Sequence, residues 1–165
     1  CFPDMDRVDL MKQIWKTIVP KLEVLSPDWT IFLKDTLISL YHTCPEETSY
    51  MELLLDFQAT FPEWQVQKEQ LLVYWLYTYF CGAVYDEKIF AKGKMAVICT
   101  LFIEELVLGL YARKRGKLEP GDLVSVCYRF SRELEHSDQN LDTLEELLDQ
   151  EELFSLEHLM TLCSI

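Results

Sequence analysis

Proline and glycine are scarce, with 6 and 5 residues in a chain of 165. So few turn formers exclude a turn-rich all-β fold. Basic residues are also in short supply. Fifteen Lys and Arg stand against 28 Asp and Glu, a formal charge of −13. A phosphate-backbone binder of that charge would repel its own ligand, which excludes nucleic acid as a partner. The six cysteines (Cys1, Cys44, Cys81, Cys99, Cys127 and Cys163) have no two members closer than 18 residues, and none forms a C-x-x-C or a Cys/His pair of zinc-finger spacing. Cys81, Cys99 and Cys127 fall in apolar stretches, where a free thiol behaves as a small hydrophobe. Reduced, buried thiols in a cytoplasmic protein are the expectation. Walker, G-x-G-x-x-G, H-E-x-x-H and G-x-S-x-G motifs are missing. There are three histidines. His42 beside Cys44 reads as a helix-end contact more readily than as a metal site, and His158 reads as exposed.

What is present is apolar and helical. Half the residues are hydrophobic and 26% are charged, enough for a core and too ordered a composition for disorder. Leu10, Met11, Ile14, Trp15 and Ile18 recur at helical spacing, with Asp4 and Asp6 as caps and Pro20 as the stop. Ser26-Pro27 opens a second helix carrying Trp29 to Tyr41 and ending near Cys44-Pro45. A shorter one covers Tyr50 to Phe61. Residues 66–85 and 90–112 are the two most hydrophobic helices. The apolar run of the first is about fifteen residues, short of a bilayer span. The second is interrupted by Glu104 and Glu105, which also argues against membrane insertion. Arg113 to Lys117 close it with cations and a glycine. Further helices are expected from Pro120 to about His136, from Asn140 to Leu148 behind a Ser137 or Asp138 cap, and from Glu152 to Leu162. The predicted fold is all-α: an irregular, orthogonal bundle of six to seven helices around two hydrophobic central ones. It forms a single domain over 1–165, with 137–165 as a short acidic helical appendage. After Arg132 ten acids follow and no Lys or Arg; that tail reads as a solvated face or as a docking surface for a basic partner.

The residues that suggest chemistry lie between Leu123 and Asn140. Leu123, Val126, Cys127, Phe130 and Leu134 form one apolar face. Ser125, Arg129, Arg132 and His136 form a stripe at spacings of four, three and four, flanked by Glu133 and Glu135. Such a set can bind an anion or position a proton-transfer group. It can equally be a surface helix laced with i,i+3 and i,i+4 ion pairs.

The stretch YRFSRELEHSDQNL (128–141) resembles the C-terminal signature of FliB-type flagellin lysine-N-methylases. LEVLSPDWTIFL (22–33) and EQLLVYWLYTYFCGAVYDEKIFAKGKMAVICTLFIEEL (69–106) are similar to further segments of that family, in the same order, so the resemblance spans roughly residues 20–145. It implies a protein that methylates lysine side chains of flagellin with S-adenosylmethionine as donor. It also implies an N-terminal cysteine-rich block holding an iron–sulfur or other metal centre, which no residue here matches. The chain starts at Cys1-Phe2-Pro3 without a signal peptide, and is read as the C-terminal helical half of a longer protein. Within that reading Arg132, Glu135 and His136 are the candidate catalytic residues. Arg132 would hold a carboxylate such as that of an amino-acid-like donor, and Glu135 or His136 would accept a proton from a lysine ammonium. The alternative is a non-catalytic helical module, like a TetR regulatory domain, with Trp64, Tyr74, Trp75, Tyr77, Tyr79 and Tyr85 lining a ligand pocket. An interaction domain working through its acidic C-terminal helices is the third reading.

Overall fold

Asp6 starts the first helix by accepting a hydrogen bond from the Asp9 backbone N–H at 2.9 Å. A computed structural model describes residues 5–163, apart from the side chains of residues 84 and 86; Cys1 and the second expected cap, Asp4, lie outside it. Helix α1 runs Arg7–Ile18, and Pro20 tightens its end into a 3-10 turn, Val19–Lys21. Helix α2 (Pro27–Thr43) has proline in its first turn. Helix α3 (Glu47–Thr60) begins earlier than expected. There Ser49 Oγ accepts from the Glu46 N–H at 3.4 Å and donates to the Glu46 carbonyl at 2.8 Å. Helix α4 (Trp64–Tyr79) gives way to a 3-10 turn, Phe80–Gly82, and a single-turn helix α5, Ala83–Asp86. Helix α6 (Ile89–Arg113) is the longest. It ends where Gly116, at φ 79°, turns back to donate to the Tyr111 carbonyl at 3.0 Å, a conformation that costs glycine little. Helices α7 (Pro120–Leu134), α8 (Asp138–Gln150) and α9 (Leu156–Cys163) complete the fold. Ser137 caps α8 by accepting from the Asn140 N–H at 3.1 Å.

The fold is all-α, with no strand among the described residues. Among the described residues eight helices exceed a single turn, one more than the upper count expected. Residues 137–163 supply two of them, separated by a 3-10 turn at Glu152–Phe154. The expected pair of central helices needs correction. Helix α6 is buried on every side from Met95 to Gly109 apart from a partly covered Val97, and it packs against α2, α3, α4, α7 and α8. It is long and apolar enough to cross a membrane, yet 83% of its most apolar window is buried in the bundle. Helix α4 has only Trp64 and Trp75 buried, while Val73 and Tyr77 face outward. Its apolar residues run all the way round, so packing one face on α6 leaves the opposite face uncovered. Cys44 and Cys99 are buried and Cys127 half-buried, but Cys81 and Cys163 are exposed, because Cys81 falls in the 3-10 turn after α4.

Three contacts set the arrangement. At the α2–α6 crossing Gly109 lies so close to Thr36 that a Cβ there would meet the Thr36 carbonyl oxygen at 2.6 Å. Lys88 and Lys92 of the α6 N-terminal region grip Glu145 of α8 at 3.0 and 2.6 Å, and Lys94 donates to the Leu148 carbonyl at 2.8 Å. The stretch expected as an appendage thus lies against α6, with α9 against α1. The connection before α2 is clamped from α7 and α8. The Glu23 N–H donates to Asn140 Oδ1 at 2.8 Å, the Leu25 N–H donates to Glu133 at 2.9 Å, and Asn140 donates to the Glu23 and Glu133 carbonyls.

In the middle of α6, Glu104 and Glu105 are fully buried. Glu104 receives Arg7 and the Trp64 indole N–H at 3.2 Å and Lys68 at 2.9 Å. Glu105 receives the Tyr41 and Tyr50 hydroxyls at 2.7 and 2.6 Å. Arg7 also donates to Tyr50 and to the Leu162 carbonyl. Burial pushes the Glu105 carboxyl above its ordinary range, against the two phenol hydrogen bonds and Arg7, which pull it down. Burial alone would lower the Arg7 guanidinium, but Tyr50 and the two glutamates raise it overall.

Two outcomes are expected. Gly109→Ala should lower stability by about 1–3 kcal/mol in urea titrations, because the Thr36 carbonyl is backbone and cannot swing aside, despite the better helix propensity of alanine. Tyr41→Phe should cost about 1.5–3 kcal/mol while Glu105 is ionised, the usual loss for a hydrogen bond to a charged group. The raised folded-state value means protonation of Glu105 adds stability that is complete below the unfolded value of 4.5 and lost as pH rises through the folded value. The Tyr41→Phe penalty, measured by chemical denaturation across a pH series, should therefore shrink as pH falls through the folded value. A penalty that grows on acidification would contradict this.

Candidate functional site

Helices α4 and α7 both rest on α6, and a groove of about 640 Å³ opens between them. Helical spacing builds its walls. From the α4 N-cap onward, Glu63, Gln67, Gln70 and Tyr74 recur at three and four residues; along α7 to its C-cap, Val124, Cys127, Ser131 and Glu135 do the same. Trp75, Ile103 and Phe130 form the apolar base, with Trp75 edge-on to Phe130 at 6.0 Å between ring centres. The Trp75 indole N–H is buried and has no hydrogen-bond partner among the described residues.

Charge in the groove is one-sided. Glu63 and Glu135 line it, and no Lys, Arg or His among the described residues does. Glu135 Oε2 accepts from Tyr74 at 2.5 Å and from Tyr79 at 2.9 Å, and Oε1 has no partner among the described residues. The hydrogen bond to Glu135, helped by burial, pushes the Tyr74 phenol up to about 12. Burial and the same carboxylate push Tyr79 higher still. Both phenols therefore stay protonated at neutral pH and hold the carboxylate in place. Burial also raises the Cys127 thiol, so this groove-lining cysteine is a neutral apolar group and not a thiolate nucleophile.

Of the three candidate catalytic residues, the structure brings only Glu135 to the groove. Arg132 and His136 are exposed and make no hydrogen bond or ion pair among the described residues. Glu135 and His136 both lie in the turn after α7, where Glu135 is half-buried against α4 and His136 is exposed. Arg129 stacks over Phe32 at 5.1 Å, and with Arg132, Asp28 and Trp29 it borders a separate depression of about 300 Å³. Helix α2 thus covers the Arg129 part of the stripe, while Arg132 and His136 stay exposed.

Of the aromatic set expected to line a pocket, Trp64, Tyr74 and Trp75 do so, and Tyr79 contributes through Glu135. Tyr77 and Tyr85 are 82% and 91% exposed and face away. Glu133, expected beside the polar stripe, and Asn140, expected only as the start of a helix, are instead buried clamps of the 128–141 stretch. A signal for Glu133 existed: it falls in the helical register of Val126 and Phe130, on the apolar face. His158 is half-buried, its Nδ1 3.0 Å from the Leu153 carbonyl, and not exposed as expected.

His42 is exposed while Cys44 is buried, and no group of three or more His, Cys, Asp or Glu among the described residues could hold a metal ion. The described cysteines lie apart and do not fit an iron–sulfur cluster. The groove has no cation to meet the carboxylate of S-adenosylmethionine, so its lining does not fit the donor's amino-acid end.

A family model described as the FliB lysine N-methylase C-terminal domain matches residues 3–162. No curated protein and no solved structure matches the chain.

Because Arg132 and His136 are exposed and make no hydrogen bond or ion pair among the described residues, Arg132→Ala and His136→Ala should each change stability by no more than about 0.5 kcal/mol. Thermal unfolding checks this, and a loss of methylation in either variant could then be read as functional and not as unfolding.

Proposed function

Because the chain belongs to the FliB lysine N-methylase C-terminal domain family, we propose that it is the C-terminal helical part of a cytoplasmic enzyme that methylates flagellin lysines with S-adenosylmethionine. The family match over residues 3–162 carries this reading. The net charge of −13 supports it, since an acidic surface steers a lysine-bearing partner toward the enzyme. The donor supplies an electrophilic methyl group. The reaction needs the lysine amine deprotonated and aligned with that methyl, so the protein must hold the lysine and keep its charge managed. Among the described residues the α4–α7 groove has carboxylates and no cation in its lining, which suits a cationic side chain better than the carboxylate of the donor. This domain is assigned to the substrate side.

A second reading has one observation in its favour. The groove falls within the roughly 300–1,000 Å³ range of small-molecule sites, as a ligand-binding module would require. Incubating the full-length protein with flagellin and S-adenosylmethionine separates the two. Mass spectrometry should find lysines carrying added methyl groups, and their absence with fully loaded enzyme would overturn the methylase reading.

A further inference from the structure

The α4–α7 groove has a chemistry that selects one kind of occupant. Its base is apolar and aromatic, and its side walls carry two carboxylates and no cation. An acidic segment would be repelled by Glu63 and Glu135. A purely apolar ligand would strip water from Glu135 and leave its free oxygen unpaired, a costly outcome for a charge. A flexible alkyl stem ending in a cation meets both demands. The stem packs on the rings, whose faces also attract cations, and the head group reaches Glu135 Oε1, the oxygen that Tyr74 and Tyr79 leave open.

Resting on the methylase reading for its biological setting, we propose that this groove is the lysine subsite. The stem of a substrate lysine lies against Tyr74, Trp75 and Tyr128, with its ammonium on Glu135. Tyr74 and Tyr79 are positioning residues: they keep the carboxylate pointed along the groove and donate only to Oε2. Glu63 adds a second negative charge to the lining. The groove exceeds what one side chain fills, so residues flanking the lysine also enter it.

The test uses the full-length enzyme and two probes, N-acetyl-lysine methylamide and its norleucine counterpart, which lacks the ammonium. Binding is followed by tryptophan emission, because Trp64 and Trp75 line the site. The lysine probe should bind and the norleucine probe should bind at least about tenfold more weakly, as expected for losing one charge-assisted contact. Glu135→Gln should erase that preference. Val124→Arg, an exposed position on the groove wall, should weaken the lysine probe by a similar factor through repulsion, and it keeps the test decisive if Glu135→Gln fails to fold. In flagellin methylation both variants should raise KM while kcat changes little. Equal binding of the two probes, or wild-type KM in both folded variants, would overturn the subsite while leaving the methylase reading intact. Lysine-selective binding without flagellin methylation would retain the subsite and remove the methylase reading.

Discussion

Two adjacent carboxylates in the middle of the most apolar helix govern how this bundle is assembled. Glu104 and Glu105 leave water entirely on folding, which is unfavourable unless every oxygen finds a donor. The donors come from separate elements: Arg7 from α1, Tyr41 from α2, Tyr50 from α3, and Trp64 and Lys68 from α4. The carboxylates thus act as an address that four helices must read correctly. An arrangement that buried α6 equally well but misplaced one donor would strand a charge in the core.

The same requirement explains where the groove lies. Helix α4 is held near its N-terminal end by Trp64 and Lys68 on Glu104, and by Trp75 against Phe130 further along. Helix α7 is held through its own apolar face and through Glu133, which caps the connection before α2. Each helix is fixed to α6 or to that connection, and the space between them remains open. Glu135 lies at the end of α7, where Tyr74 and Tyr79 of α4 bridge to it. It is the single polar link of that kind across the groove among the described residues.

The recognisable 128–141 stretch performs two kinds of work. Its inward polar residues, Glu133, Ser137 and Asn140, are buried and fix the connection ahead of α2. Its outward residues, Arg132 and His136, are free at the surface. Glu135 belongs to neither group and faces α4. This one stretch therefore mixes folding determinants with a groove-lining carboxylate. The acidic tail is divided in the same way, since Glu145 is already neutralised by Lys88 and Lys92 of α6.

Helix positions were readable because they depend on local features: proline at the first turns of α2 and α7, the Ser137 cap, and apolar residues three and four apart. The resemblance in ordered segments named the family for the same reason, as it depends on residue order alone. Which apolar helix became central was not readable, because α4 and α6 look alike until their neighbours are placed. The partner of each charge was equally hidden. Glu104 and Glu105 looked like interruptions, and Arg132, Glu135 and His136 looked like one cluster, because local spacing reports neighbours on one helix. Burial and pairing depend on helices distant in the chain: Arg7 lies 97 residues from Glu104, and Tyr74 lies 61 from Glu135. Only packing brings those pairs within hydrogen-bond reach.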